Sequence, residues 1–531
     1  MVAARKKSLS KKSAAKPAKR VAKLKGLTPA QAYKDLIAYW KRLATFGSVG
    51  SLLGWDQRTY MPSGASSHRA EQLALMSGMY HEMATSPHVK DLIAAAGELP
   101  AAKKEDTVEA VNVREIRREY GMATKLPQTL VEELSRATSR AYDVWVEARK
   151  QNDFNTFKSH LETIVGLTRK RADALGWKAS RYDALLDEYE PGATKAEIEQ
   201  IFAPLRTELA QLVGEIVSSG RQPDPKILNA DYPAAAQEKF CKEAAAQIGF
   251  DFNCGRLDTT THPFCSGVGV GDTRLTTRYN PHDFSGALFG TLHEAGHGIY
   301  DQGLEAKHYG SPMGNSVSLG IHESQSRMWE NFVGRSLAFW KYFYPKLRET
   351  FPQALSGVGL DALYFAINKS QPSFIRVESD EATYNLHIIL RFELESALIE
   401  GSLKAADVPG EWNARFKKLF GLEVPDNRRG CLQDVHWSGG GIGYFPTYTL
   451  GNLYAAQLFE QARKDLGDLD GQFSAGEFQP LKGWLNQKVH HQGMRFRSNK
   501  LCEKVTGKPL DHKYLMRHLR KKFGGLYGFS A

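Results

Sequence analysis

From Thr28 onward, apolar residues recur at three- and four-residue spacing with charged residues between them, the pattern of amphipathic helices. This periodicity predicts helices over residues 29–46, 67–85, 106–122, 130–150, 154–175, 195–219 and 234–248. Thr28 stands where an N-cap belongs, and Pro127 and Pro191 fall where helices should stop. These elements are long and charged on one side, as in an antiparallel helical lobe. At Phe250 the pattern changes. Asn253, Gly255, Gly267, Gly269 and Gly271 stand among Thr and Val, which predicts a small β-ribbon with its clearest strand over 272–279. The glycine run from 267 to 271 has neither the G-x-G-x-x-G form nor a following Lys-Ser/Thr, which excludes a phosphate loop. Helical spacing returns near Asp283 and continues to the end, with Ser379 expected to cap a helix over 380–400 that stops at Gly401. No internal repeat is found.

With 531 residues, 42% of them hydrophobic, the chain can bury a large core. The formal charge of +11 first suggests a nucleic-acid or membrane partner. Its distribution argues otherwise, because residues 1–25 hold ten Lys or Arg and no acid, leaving the remainder close to neutral. That Ala/Lys/Ser tail is expected to be disordered, with only weak contacts to nucleic acid. It lacks the apolar core of a secretory signal, and no stretch qualifies as a transmembrane helix. His436 to Phe459 carries no charged residue, but its glycines, Pro446 and polar side chains fit a groove wall better than lipid. Five cysteines with no C-x-x-C pair point to reduced thiols in a cytoplasmic setting and to no thiolate metal site.

The chemistry is concentrated at His293-Glu294-Ala295-Gly296-His297, inside an apolar helical stretch. Two histidines four apart lie about 40° apart around a helix axis, so their rings converge on one small ion. Glu294 can reach a water on that ion without being a ligand, as in the H-E-x-x-H zinc hydrolases. Such a site needs a third protein ligand and an open position. Twenty-six residues after His297, Glu323 lies on a second predicted helix, over 320–330, capped by Ser316 or Ser318. Glu323 is the expected third ligand, and the adjacent His322 competes with it. The strand before the metal helix is expected to hold extended peptide by edge pairing. These elements define a mainly α protein with a small β-sheet beside a metal-bearing groove.

Six short motifs in order give the chain a resemblance to the carboxypeptidase Taq family of metallocarboxypeptidases. They are His262-Pro263-Phe264, Asp272-Thr273-Arg274-Leu275-Thr276, His293-Glu294-Ala295-Gly296-His297, His322-Glu323-Ser324-Gln325, Ile375-Arg376-Val377-Glu378-Ser379-Asp380 and Gly430-Cys431-Leu432-Gln433-Asp434-Val435-His436-Trp437. Ser379 departs from the family's alanine, and the basic tail lies outside the resemblance. The resemblance implies a long-groove, zincin-like helical fold and a homodimeric zinc enzyme, one Zn2+ per chain with Co2+ as a substitute, that releases C-terminal residues one at a time with broad specificity.

In such an enzyme Glu294 serves as general base. His436 is the first candidate and Tyr448 the second for a donor to the tetrahedral oxyanion. A cation must read the terminal carboxylate of the peptide, and Arg376 and Arg274 are the candidates. Each has an acidic neighbour, Asp380 and Asp272 respectively, that competes for it. His262 and Asp272 are expected to shape the end of the groove, and His322 to orient the metal site. A zinc endo-oligopeptidase with the same metal site would lack the carboxylate reader. A non-enzymatic interaction protein is disfavoured by the intact Glu294. The expected organisation is a tail over 1–26 and one catalytic domain over 27–531. That domain divides into a helical lobe (27–249), a metal and substrate region (250–455) and a helical C-terminal part (456–531).

Overall fold

The computed structural model describes residues 26–530; the expectation of a disordered basic tail falls outside them. The helices ahead of the sheet are α1 (Pro29–Thr59), α2 (Ser66–Ala84), α3 (Pro87–Ala96), α4 (Val108–Lys125), α5 (Gln128–Gln151), α6 (Phe154–Leu175), α7 (Arg181–Leu186), α8 (Lys195–Ser218) and α9 (Ala234–Ile248). Thr28 accepts the Gln31 N–H and starts α1, which runs past the predicted end at residue 46, through Gly47, Gly50 and Gly54, with no proline before Pro62 to stop it. The short helices α3 and α7 were not predicted. Both are too brief for periodicity to register, although Ser86 and Ser180 cap them.

Next come β1 (Gly255–Thr259), β2 (Cys265–Gly269) and β3 (Asp272–Thr277), in the spatial order β1-β3-β2. β1 pairs parallel and β2 antiparallel with β3. The strand expected to offer a free edge, residues 272–277, is therefore the central one and is paired on both sides; the sheet's edges belong to β1 and β2. Helix α10 (Phe284–Gly303), which carries the H-E-x-x-H segment, packs against β3, α9 and the following helix, α11 (Leu319–Arg327), which runs on as a π-helical turn over Met328–Gly334.

The remainder is helical: α12 (Leu337–Thr350), α13 (Leu360–Ile367), α14 (Tyr384–Glu400), α15 (Val408–Phe420), α16 (Pro446–Leu466), α17 (Leu469–Ser474), α18 (Gln479–Lys488), α19 (Ser498–Thr506) and α20 (Lys513–Tyr527). Ser379 does not cap the helix that ends at Gly401. Its hydroxyl bonds the Ile375 carbonyl, while Asp380 accepts the N–H groups of Ala382 and Thr383 and the helix begins at Tyr384. Gly401 ends α14 at φ 90°, a left-handed conformation that glycine adopts without strain. The main hydrophobic core extends from Ala141 to Tyr527, and a smaller one gathers α1, α3 and α4 around Leu36, Leu92 and Ile116. The uncharged stretch after His436 becomes the largely buried α16, laid along α11. Among the described residues no helix is long and apolar enough to cross a membrane, and the five cysteines are unpaired.

Candidate metal centre and active site

Two helix pairings build the site, and a glycine permits each. Asp283 accepts the Ser285 N–H and starts α10, and Ser318 accepts the Ile321 N–H and starts α11. Where the two helices meet, a Cβ on Gly296 would fall 2.6 Å from the Gln325 carbonyl oxygen and the Ser326 Cα. Only glycine at this position of the H-E-x-x-H segment lets the backbones approach so closely. On the other side of α11, Gly451 of α16 lies directly against the side chain of Glu323.

This packing brings together His293, His297 and Glu323, whose donor atoms all lie within 4.8 Å of one another. Glu323 Oε2 is 3.7 Å from His293 Nε2 and 3.5 Å from His297 Nε2. Every other ring nitrogen is engaged. His293 Nδ1 lies 2.9 Å from Glu330 Oε2, and His297 Nδ1 lies 2.5 Å from His322 Nδ1. A proton on each Nδ1 leaves the Nε2 lone pairs free to face one ion, the usual arrangement of metal-ligating histidines. His322, the competing third ligand, turns Nε2 to Asp301 at 3.1 Å and has no nitrogen left for a metal. Two imidazoles and a carboxylate with these lone pairs converging fit a divalent transition metal.

Glu323 is held by two neighbouring side chains. Arg327 Nε donates to Oε1 at 2.7 Å and Ser326 Oγ to Oε2 at 3.1 Å. Burial alone would raise its pKa, but the Arg327 guanidinium and the histidines hold Glu323 well below the usual carboxylate range. Glu330, bonded to His293 and Arg327, is likewise held down to about 2 against its burial. Burial pushes His297 down to about 4, so it is neutral as a ligand must be. Glu294 is 7% exposed and burial pushes its carboxyl up to about 7, with His293 opposing that shift. A carboxylate poised near neutrality is suited to take a proton and return it. Glu330 was not identified from the sequence, although Glu323, Arg327 and Glu330 at i, i+4 and i+7 share one helix face.

A second cluster surrounds Arg376. Asp380 does not pair with it, because that carboxylate is taken by the Ser370 and Thr383 hydroxyls and by the N–H groups of Gln371, Ala382 and Thr383. Arg376 instead donates to Asp434 Oδ1 from Nε at 3.0 Å and from Nη2 at 2.8 Å, and to the Tyr384 hydroxyl at 3.0 Å. Arg391, fully buried, donates to Asp434 Oδ2 at 2.6 Å. Two guanidinium groups thus share one carboxylate, leaving a net positive charge within a largely buried cluster. His436 lies nearby, with Nδ1 4.0 Å from Asp434 and its ring against Phe445; burial lowers its pKa to about 4 and keeps it neutral. Tyr448 packs 5.3 Å from the Arg376 guanidinium, and burial raises its hydroxyl well above 10, so it stays protonated.

Arg274 sits differently. It is paired with its neighbour Asp272 through two hydrogen bonds of 2.7 Å, and its guanidinium lies 4.2 Å from the ring centroid of Trp55 on α1. His262 is exposed on the loop between β1 and β2. Arg274, Asp272 and His262 therefore belong to the sheet and its loop, apart from the cluster that Arg376 anchors.

Two half-buried histidines and a buried glutamate beside a poised second glutamate, on a mainly helical frame with a three-stranded sheet, define the class as a metallopeptidase. The family model for the carboxypeptidase Taq (M32) metallopeptidases matches residues 35–523, and the chain belongs to that family. It is 44% identical over 511 residues to thermostable carboxypeptidase 1 of Thermus thermophilus, covering 94% of this chain and all of that protein. It is 38% identical to carboxypeptidase 1 of Bacillus subtilis, over 93% of this chain and 98% of that one. The crystal structure of the M32 carboxypeptidase from Deinococcus radiodurans superposes with a TM-score of 0.90 at 38% identity, covering 94% of this chain and 99% of that one. The chain is a metallocarboxypeptidase that acts on peptides, and the endo-oligopeptidase alternative is not supported.

Proposed function

We propose that this enzyme is a zinc carboxypeptidase of broad specificity, with one ion held by His293, His297 and Glu323. The convergence of their three donor atoms, with each imidazole's other nitrogen occupied, carries this reading. Bound there, zinc supplies a Lewis acid and lowers the pKa of water, and cobalt serves as a substitute. Glu294 removes the proton of the attacking water and delivers it to the leaving amine, a role its elevated pKa supports. Tyr448, protonated and one helical turn before Gly451, and His436, neutral and beside Asp434, act as donors to the developing oxyanion.

Arg376 reads the terminal carboxylate of the peptide. The support is the charge count around Asp434: Arg391 already serves that carboxylate, so the cluster keeps a positive charge for an anion. Arg274 is neutralised by Asp272, and with His262 we assign these residues to shaping the end of the groove. On the family resemblance we propose a homodimer and a single catalytic unit over 27–531. The unpaired cysteines support a cytoplasmic setting. The test is mass spectrometry of a short peptide incubated with zinc-loaded enzyme, beside the same peptide amidated at its C-terminus. Stepwise single-residue losses from the free acid, scarce from the amide and abolished by chelator, are expected. Equal processing of acid and amide would remove the role given to Arg376.

A further inference from the structure

Behind the ligand triad lies a chain of groups that the catalytic steps do not use. His297 and Asp301 stand one turn apart on α10, and His322 precedes Glu323 on α11. His297 Nδ1 is 2.5 Å from His322 Nδ1, and His322 Nε2 is 3.1 Å from Asp301 Oδ1. Of two ring nitrogens so close, one carries a proton and the other a lone pair. If Nε2 of His297 is to face a metal, its proton must sit on Nδ1. His322 Nδ1 must then accept, which places the His322 proton on Nε2, where only an acceptor can stabilise it. A carboxylate without a proton can only accept, so Asp301 holds a proton on His322 Nε2, and a neutral His322 then offers its Nδ1 lone pair to His297. Gly267 on β2 makes room for it, since a Cβ there would fall 2.8 Å from Asp301 Oδ2.

We propose that Asp301 and His322 form a two-step tautomer lock that decides which nitrogen of His297 faces the metal, with Asp301 a positioning residue. The proposal rests on the reading of His297 as a ligand. His293 has the one-step version of the same device, a direct bond from Nδ1 to Glu330. Asparagine at position 301 would keep the shape but lose the instruction. Its amide can donate to His322 Nε2, which reverses both tautomers and puts the His297 proton on the nitrogen that should bind metal.

The test is the zinc dissociation constant of the full chain, measured by competition with a chelating dye for wild type, Asp301→Asn, Asp301→Glu and His297→Ala. The melting temperature of each metal-free protein is recorded alongside. Asp301→Asn is expected to bind zinc about 10- to 100-fold more weakly with its metal-free melting temperature unchanged. Asp301→Glu, which is not isosteric but remains acceptor-only, should bind more tightly than Asp301→Asn. A purely steric role predicts the opposite order, because asparagine is the better fit. Wild-type affinity in Asp301→Asn, or glutamate weaker than asparagine, would overturn the lock while loss of zinc in His297→Ala left the ligand reading standing. Wild-type zinc affinity in His297→Ala would overturn both.

Discussion

Gly451 and Glu323 are in direct contact across the interface of α16 and α11: a Cβ on Gly451 would fall 2.5 Å from Glu323 Cγ and 2.7 Å from its Cβ. The position of Glu323, the proposed third ligand, is therefore set by the absence of a side chain on a neighbouring helix. Alanine ordinarily gains up to ~1 kcal/mol over glycine inside a helix. Here the added methyl meets a ligand already pinned by Arg327 and Ser326, and overpacking of this kind costs about 1–3 kcal/mol. Gly451→Ala is expected to lower the melting temperature and weaken metal binding together, as read by calorimetry and metal titration.

Glu119 on α4 carries a pH-dependent cost of its own. Burial, with the nearby charge of Glu115, pushes its carboxyl up to about 7. The folded state therefore binds the proton more tightly than the unfolded chain, and stability falls as pH rises from the unfolded value near 4.5 through 7. Glu119→Gln removes that loss and should stabilise the protein by ~1–3 kcal/mol at pH 8, with little effect at pH 4. Denaturant unfolding at the two pH values checks this, and equal effects at both would contradict it.

Arg376→Lys keeps the charge but loses the planar fork that donates to Asp434 and would pair with a terminal carboxylate. We expect KM for free-acid peptides to rise about 10- to 100-fold, in line with loss of a charge-assisted hydrogen bond, while metal content stays at the wild-type value. An unchanged KM would move the role to Arg274.

Removal of the ion should destabilise the fold, since anything bound only by the native state adds stability by mass action. At a thousandfold excess over its dissociation constant, zinc contributes ~4 kcal/mol. The melting temperature should drop on adding chelator, and His297→Ala should show no such drop.

Much of the metal site was legible in the sequence, because helical spacing alone puts His293 and His297 on one face. The longest helices were legible for the same reason, and residues 154–175 and 234–248 form helices with the predicted bounds. What could not be read is tertiary pairing. Asp434 stands 58 residues from Arg376 and nothing local favours it over Asp380, yet Asp380 is consumed in starting α14. The sheet order was hidden too, because the parallel pairing of β1 with β3 is a long-range choice that leaves no periodic trace. Nothing in the local sequence marks Gly296 and Gly451 as packing positions, because only the opposing helix excludes a side chain there.

The role of Glu294 as general base is tested by a paired assay of Glu294→Gln: zinc per chain by elemental analysis and kcat/KM on a free-acid peptide, from one preparation. One zinc per chain is expected, as in wild type, with turnover lower by several orders of magnitude, because the carboxylate moves the proton and does not hold the ion. Wild-type turnover with zinc bound would show that Glu294 is not the base, and loss of zinc in this variant would show that it is a ligand.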